Sequence, residues 1–175
     1  MSLCETLGNQ LGADMEVVAA AAWLHDIVKR HSAEPPEVPD AELAAVEAYR
    51  VLQSTDFPPD KIDAVCLAIR VHEGLIRDRP VQPLEAAVLW DADKLSKLGA
   101  TYLVHSLCIR PAFDPIFEGR PTDTDLVLRS LDGWLQMGER IVASMNTQPG
   151  RIEGSKRLAF LRRFVAELRS EWNRS

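Results

Sequence analysis

Apolar and polar positions alternate at helical spacing along almost the whole chain. Met1 to Leu11 reads as the tail of a helix closed by Gly12, and Asp14 caps a second helix running to about Arg30. Ser32 to Pro39 holds three prolines and two glutamates, which predicts a loop. Asp40 caps a third helix carrying Leu43, Val46, Ala48, Val51 and Leu52. Phe57-Pro58-Pro59-Asp60 breaks it and starts a fourth, with Ile62, Val65, Cys66, Ile69 and His72. Arg77 to Pro83 is a second loop. A fifth helix begins near Leu84 and carries Asp91 and Asp93. Pro111 to Thr124, with three prolines and Gly119, reads as irregular. Asp125 to Met145 is helical, Asn146 to Gly150 interrupts, and Arg151 to Trp172 is a last amphipathic helix. No strand and no internal repeat is visible. The pattern predicts an all-α globule of about six or seven helices, with residues 1–175 in a single domain.

One stretch stands out. A nearly unbroken apolar run from Val17 ends in Trp23-Leu24-His25-Asp26-Ile27. Such a run predicts a helix buried on most sides. An imidazole and a carboxylate at its end need compensation, because unpaired polar or charged groups are costly to bury. A divalent metal would supply it. His72 and the segment Asp91-Ala92-Asp93-Lys94 offer further ligands. Adjacent helical residues point about 100° apart, so His25 and Asp26 can share one ion only in a groove between helices. Oxygen and nitrogen donors of this kind suit Mn, Fe, Co, Ni or Zn, and the carboxylates admit Mg. A bound ion lowers the pKa of its water and neutralises phosphate oxygens. Simpler readings exist for each residue: an internal hydrogen-bonded His25–Asp26 pair, a solvated face for Asp91 and Asp93, a helix-end His72. Against the solvated face, Asp91 follows Ala86-Ala87-Val88-Leu89-Trp90, which looks like core. His31 and His105 read as structural.

Composition narrows the classes. With 175 residues, 46% of them hydrophobic, the chain can bury a sizeable core. Its net charge of -6 argues against non-specific binding to nucleic acid or an anionic membrane. A nucleotide remains compatible, since metal and a few basic residues can neutralise its phosphates. Cys4, Cys66 and Cys108 are widely spaced in apolar contexts and read as reduced core residues of a cytoplasmic protein. No signal peptide is visible, and the longest apolar run is far too short to span a bilayer.

Taken together, Ala21-Ala22-Trp23-Leu24-His25-Asp26-Ile27, the isoleucine helix ending in His72, and Asp91-Ala92-Asp93-Lys94-Leu95 followed by Leu98-Gly99-Ala100 resemble the HD-domain metal-dependent phosphohydrolases. The likeness is narrower to a branch of HD hydrolases with nucleotide pyrophosphohydrolase-like members. It extends through Met145-Asn146-Thr147 and Gly150-Arg151 and covers nearly the whole chain.

The resemblance implies an all-α HD domain with a divalent metal held by His25, Asp26 and Asp93. It implies that Lys29 contacts phosphate, with Lys94 a second candidate. It implies that Asp91 orients the site, and that His72 binds a second metal or faces substrate. The family's first metal histidine precedes the His-Asp helix, and no histidine precedes His25 here. The first helix is therefore read as lacking its start. The branch usually has an arginine where His105 stands. The expected activity is hydrolysis of a small phosphate ester or nucleotide, with Lys29 and His72 stabilising or protonating phosphoryl oxygens. The alternatives are a degenerate HD domain that binds a nucleotide or partner without catalysis, and a plain helical module.

Overall fold

The computed structural model describes residues 2–30, 37–113 and 124–172. It contains α1 (Ser2–Leu11), α2 (Met15–Leu24), α3 (Asp40–Gln53), α4 (Ile62–Val71), α5 (Leu84–Leu95), α6 (Gly99–Phe113), α7 (Thr124–Ala143) and α8 (Gln148–Trp172). A short 3-10 turn at Pro59–Lys61 leads into α4. The described residues hold no strand, so the fold is all-α. The described residues form eight α-helices where the pattern predicts about six or seven. Gly99, at φ 82°, divides what reads as one helix from Leu84 into α5 and α6. His31, most of the two proline-rich loops and the Cys108 side chain lie outside the described residues.

The centre of the fold is α5. It packs against α1, α2, α4 and α8, and every residue from Ala86 to Ala92 is buried, as are Lys94 and Leu95. A helix apolar on all sides is stable only when surrounded in this way. Beside it, α3 turns Ala41, Ala44, Ala45 and Ala48 inward at helical spacing. These small side chains let α4 approach closely, and the Cys66 thiol meets the Ala45 carbonyl at 3.4 Å. Cys4 and Cys66 are both free and buried.

The start of α2 follows from its sequence and its end does not. Gly12, at φ 70°, closes α1, and the Ala13 N–H reaches back to the Gly8 carbonyl at 3.0 Å. Asp14 then accepts from the N–H groups of Glu16 and Val17. Lys61, at the mouth of α4, donates to both Asp14 and Glu16 at 2.6 and 2.7 Å. Yet α2 stops at Leu24 instead of continuing to Arg30. The Arg30 guanidinium and backbone N–H both bind the Asp40 carboxylate, at 2.6 and 3.0 Å, and the guanidinium also reaches the Val38 carbonyl. This clamp draws the chain off the helix axis. It also occupies Asp40, which is the first residue of α3 and leaves the capping position to Pro39. Nor is α2 buried on most sides: Val17, Val18 and Ala21 face the core, while Trp23 is 74% exposed.

The link between α5 and the last two helices is polar. Asp91 is fully buried. Its Oδ1 accepts from the backbone and side-chain N–H groups of Asn146 at 2.8 and 3.0 Å. Its Oδ2 accepts from the backbone N–H and hydroxyl of Thr147 at 2.8 and 2.7 Å. Gly150 lies directly alongside: a Cβ there would stand 2.4 Å from Asp91 Oδ2. Asp91→Ala strands these donors in the interior. We expect a loss of at least about 3 kcal/mol in stability, since donors to a charged acceptor are expensive to leave unpaired. Urea unfolding checks this, and a midpoint equal to the parent protein's would show that the junction holds without the carboxylate.

Candidate metal centre

The ends of two helices meet at one carboxylate. His25 follows the last residue of α2, and His72 follows the last residue of α4. Their rings meet edge to face, with centroids 5.0 Å apart and planes at 86°. Asp26 faces both. Its Oδ2 is 3.7 Å from His25 Nε2, and its Oδ1 is 3.7 Å from His72 Nε2.

Each ring is pinned at its other nitrogen. His25 Nδ1 lies 2.9 Å from the Ala22 carbonyl, and His72 Nδ1 lies 2.6 Å from the Ile69 carbonyl. A carbonyl oxygen only accepts, so both Nδ1 atoms carry hydrogen. In the neutral rings this leaves two Nε2 lone pairs directed at a carboxylate. Three acceptors then face one another, with the Lys29 ammonium on Asp26 Oδ1 as the donor among them, an arrangement that a metal cation relieves. Metal-binding histidines are commonly fixed by a hydrogen bond of this kind at the second nitrogen.

The donor set fits a divalent ion. One atom from each of His25, Asp26 and His72 lies within 4.8 Å of the others. Metal bonds of about 2.0 to 2.3 Å place ligand atoms about 3 to 4 Å apart, so the three need close only slightly. Asp26 is suited to the role electrostatically. A proton on His72 Nε2, then Lys29 and a charged His25, hold the carboxyl well below the usual range against the cost of partial burial, and a bound metal would take the place of those ring protons.

Asp93 lies on the wall of a cavity of about 300 Å³ that His25 and Asp26 also line. It is not one of the three converging donors. The Lys94 ammonium binds its Oδ2, and Lys97 Nζ stands 3.6 Å from its Oδ1. Burial works to raise the Asp93 carboxyl, yet Lys94, Lys97 and His25 hold it below its ordinary value.

A family model for the HD domain matches residues 1–98. The chain belongs to the HD-domain family. Curated proteins give no match. Solved structures share the fold over nearly the full chain. A predicted HD superfamily hydrolase from an uncultured Thermotogales bacterium is 23% identical with a TM-score of 0.66, over 98% of this chain and 76% of its own. An HD-superfamily hydrolase from Bacillus thuringiensis is 20% identical with a TM-score of 0.69, over 99% and 82%. YpgQ from Bacillus subtilis, solved in complex with ADP, is 22% identical with a TM-score of 0.70, over 97% and 81%. HD domains generally bind divalent metals, and the His/Asp cluster supplies a candidate donor set of that kind.

Within this HD domain the remaining expected residues separate. Asp91, expected to serve the catalytic groups, turns away from them: its oxygens are taken by Asn146 and Thr147. Two steps along a helix rotate a side chain by about 200°, so Asp91 and Asp93 cannot share a face. Lys94, expected as a phosphate contact, is buried, and its Nζ donates to the His72 carbonyl at 2.8 Å besides binding Asp93. Burial pushes this ammonium down, opposed by Asp93. Lys29 reaches Asp26 Oδ1 at 3.1 Å, but across the turn after α2, since no helix stacks it over His25. His105 is exposed on α6. Sequence reasoning passed over Lys97, which lines the cavity; its signal is the spacing of four from Asp93 on a helix.

The pinned rings yield a direct test. In their neutral form, both imidazoles should appear in nitrogen-15 spectra as the tautomer protonated at Nδ1. An Nε2-protonated ring at either position would mean that Asp26 is satisfied by an ordinary hydrogen bond and needs no cation.

Proposed function

We propose that this HD domain is a divalent-metal-dependent phosphohydrolase acting on a small phosphate ester or nucleotide. The observation that carries the reading is the pair of Nδ1-pinned imidazoles aimed at one carboxylate. His25, Asp26 and His72 would hold the ion. Asp93, on the cavity wall they share in part, is the next donor. When bound, such an ion supplies charge neutralisation for phosphoryl oxygens and lowers the pKa of water.

The chain's own groups do the rest. The neighbours of Asp26 favour its charged form. The carbonyls of Ala22 and Ile69 keep the imidazoles in one tautomer and one orientation. The Lys29 ammonium, more than half exposed beside Asp26, can neutralise a phosphoryl oxygen delivered there. His72 is 5% exposed and faces Asp26, so we assign it to holding the ion and not to proton transfer. YpgQ, which shares the fold, is solved in complex with ADP, and this supports a phosphorylated ligand for the present chain.

Two substitutions test the assignment, with Mn²⁺ titration and phosphate release from p-nitrophenyl phosphate as readouts. Asp26→Ala removes the central carboxylate. It should weaken metal binding by at least about a hundredfold and abolish release. Parental activity in that variant would end the metal-hydrolase reading, and tight metal binding by the parent without turnover of any ester would favour a binding domain. Lys29→Ala should leave Mn²⁺ affinity within about twofold and weaken inorganic phosphate binding to the loaded protein by about tenfold, the loss of one charge-assisted contact. Unchanged phosphate affinity would reduce Lys29 to a solvated partner of Asp26.

A further inference from the structure

The cavity beside the metal centre has two kinds of wall. His25, Asp26 and Asp93 give it chemistry, and Cys4 belongs to its apolar lining. At its edge stand Ser96 and Lys97, just beyond the last residue of α5. Among the lining residues Lys97 is the sole lysine or arginine.

The charges around the cavity are unequal. Asp93 already has a partner, because Lys94 is buried against its Oδ2 with a side chain only 3% exposed. Asp26 likewise has Lys29 on its Oδ1. Lys97 is therefore surplus. Its side chain is 38% exposed, and at 3.6 Å from Asp93 Oδ1 it is within electrostatic range but beyond a good hydrogen bond. Its ammonium keeps donors to offer. Three lysines already outnumber two carboxylates here, and a divalent ion would widen the excess. A site so charged favours an anion, and it favours a dianion most.

We infer that Lys97 is the substrate-anchoring cation of this cavity, binding phosphate oxygens in the space that it lines together with His25 and Asp26. This rests on the phosphohydrolase reading above and adds a specificity residue to it. The ion and Lys97 would hold one phosphate from two directions. Ser96 is not part of the anchor, because its hydroxyl donates to the Asp93 carbonyl at 2.6 Å. The simpler account of Lys97 is a helix-end cation paired to Asp93 four residues earlier, a contact worth little at an exposed position. That account predicts no effect on phosphate.

The decisive comparison is between the parent protein, Lys97→Ala and Lys97→Arg, each full-length and loaded with Mn²⁺. Calorimetric titration with inorganic phosphate reads binding directly, and titration with Mn²⁺ alone reads the metal centre. Lys97→Ala should weaken phosphate about tenfold or more, and Lys97→Arg should restore most of it. Mn²⁺ affinity should stay at or slightly above the parental value, since a repelling cation has gone. With p-nitrophenyl phosphate, Lys97→Ala should raise KM by a similar factor and leave kcat within about threefold, as loss of uniform binding does. Parental phosphate affinity in Lys97→Ala would overturn the inference, as would parallel loss of Mn²⁺ and phosphate binding, which would mark a structural role. If the loaded parent turns over no phosphate ester yet binds phosphate through Lys97, the hydrolase reading fails and the anchor stands. If the parent binds no phosphate at all, the anchor fails.

Discussion

The structure depends on surrounding α5 completely while it carries charge. An apolar helix in that position would need only neighbours of the right volume. This one brings Asp91 and Lys94 into the interior and Asp93 to a cavity wall, and each must be met by a specific partner, because a buried charge left alone costs several kcal/mol. Asp91 takes four donors from Asn146 and Thr147, and in doing so fixes where α7 ends and α8 begins. Lys94 takes the carbonyl at the end of α4 and the Asp93 carboxylate. Glu85, in the first turn, accepts the Asp14 N–H at the start of α2. The helices around α5 are thus placed by polar contacts of fixed direction as well as by packing, which alone tolerates sliding.

The metal centre draws on the same economy. Helix ends leave carbonyls without helical partners. At the ends of α2 and α4 those at Ala22 and Ile69 accept from the ring of the histidine three residues on, and the Ile69 carbonyl also takes the His72 backbone N–H at 3.4 Å. One hydrogen bond therefore satisfies a helix end, selects a tautomer and aims a lone pair. The two copies of this device converge because α2 and α4 both pack against α5 and against each other. The His72 carbonyl, held by Lys94, fixes the backbone from which that ring projects.

Much of this was legible in the residues. The all-round apolar stretch from Ala86 to Trp90 marks a central helix, and Gly12 and Asp14 mark the break between α1 and α2, because these signals are local. The His25-Asp26 dipeptide declared itself through its setting at the end of an apolar run. The end of α2 was hidden, since Ile27 and Val28 continue the apolar pattern while the force that bends the chain comes from Asp40, ten residues away. The fates of Asp91 and Lys94 were hidden for a like reason: their partners are Asn146, Thr147 and His72, distant in sequence. The separation of Asp91 from Asp93 was available from helical geometry alone.

The Arg30–Asp40 clamp also insulates. It ties Arg30 directly to the first residue of α3, and none of its bonds engages His25 or Asp26. Loop length adds only slowly to the entropy of closing a loop. Insertions or exchanges in that connection can therefore accumulate with little mechanical strain reaching the metal donors. An evolving lineage has there a stretch to vary for new ligands or partners while the chemistry stays where it is.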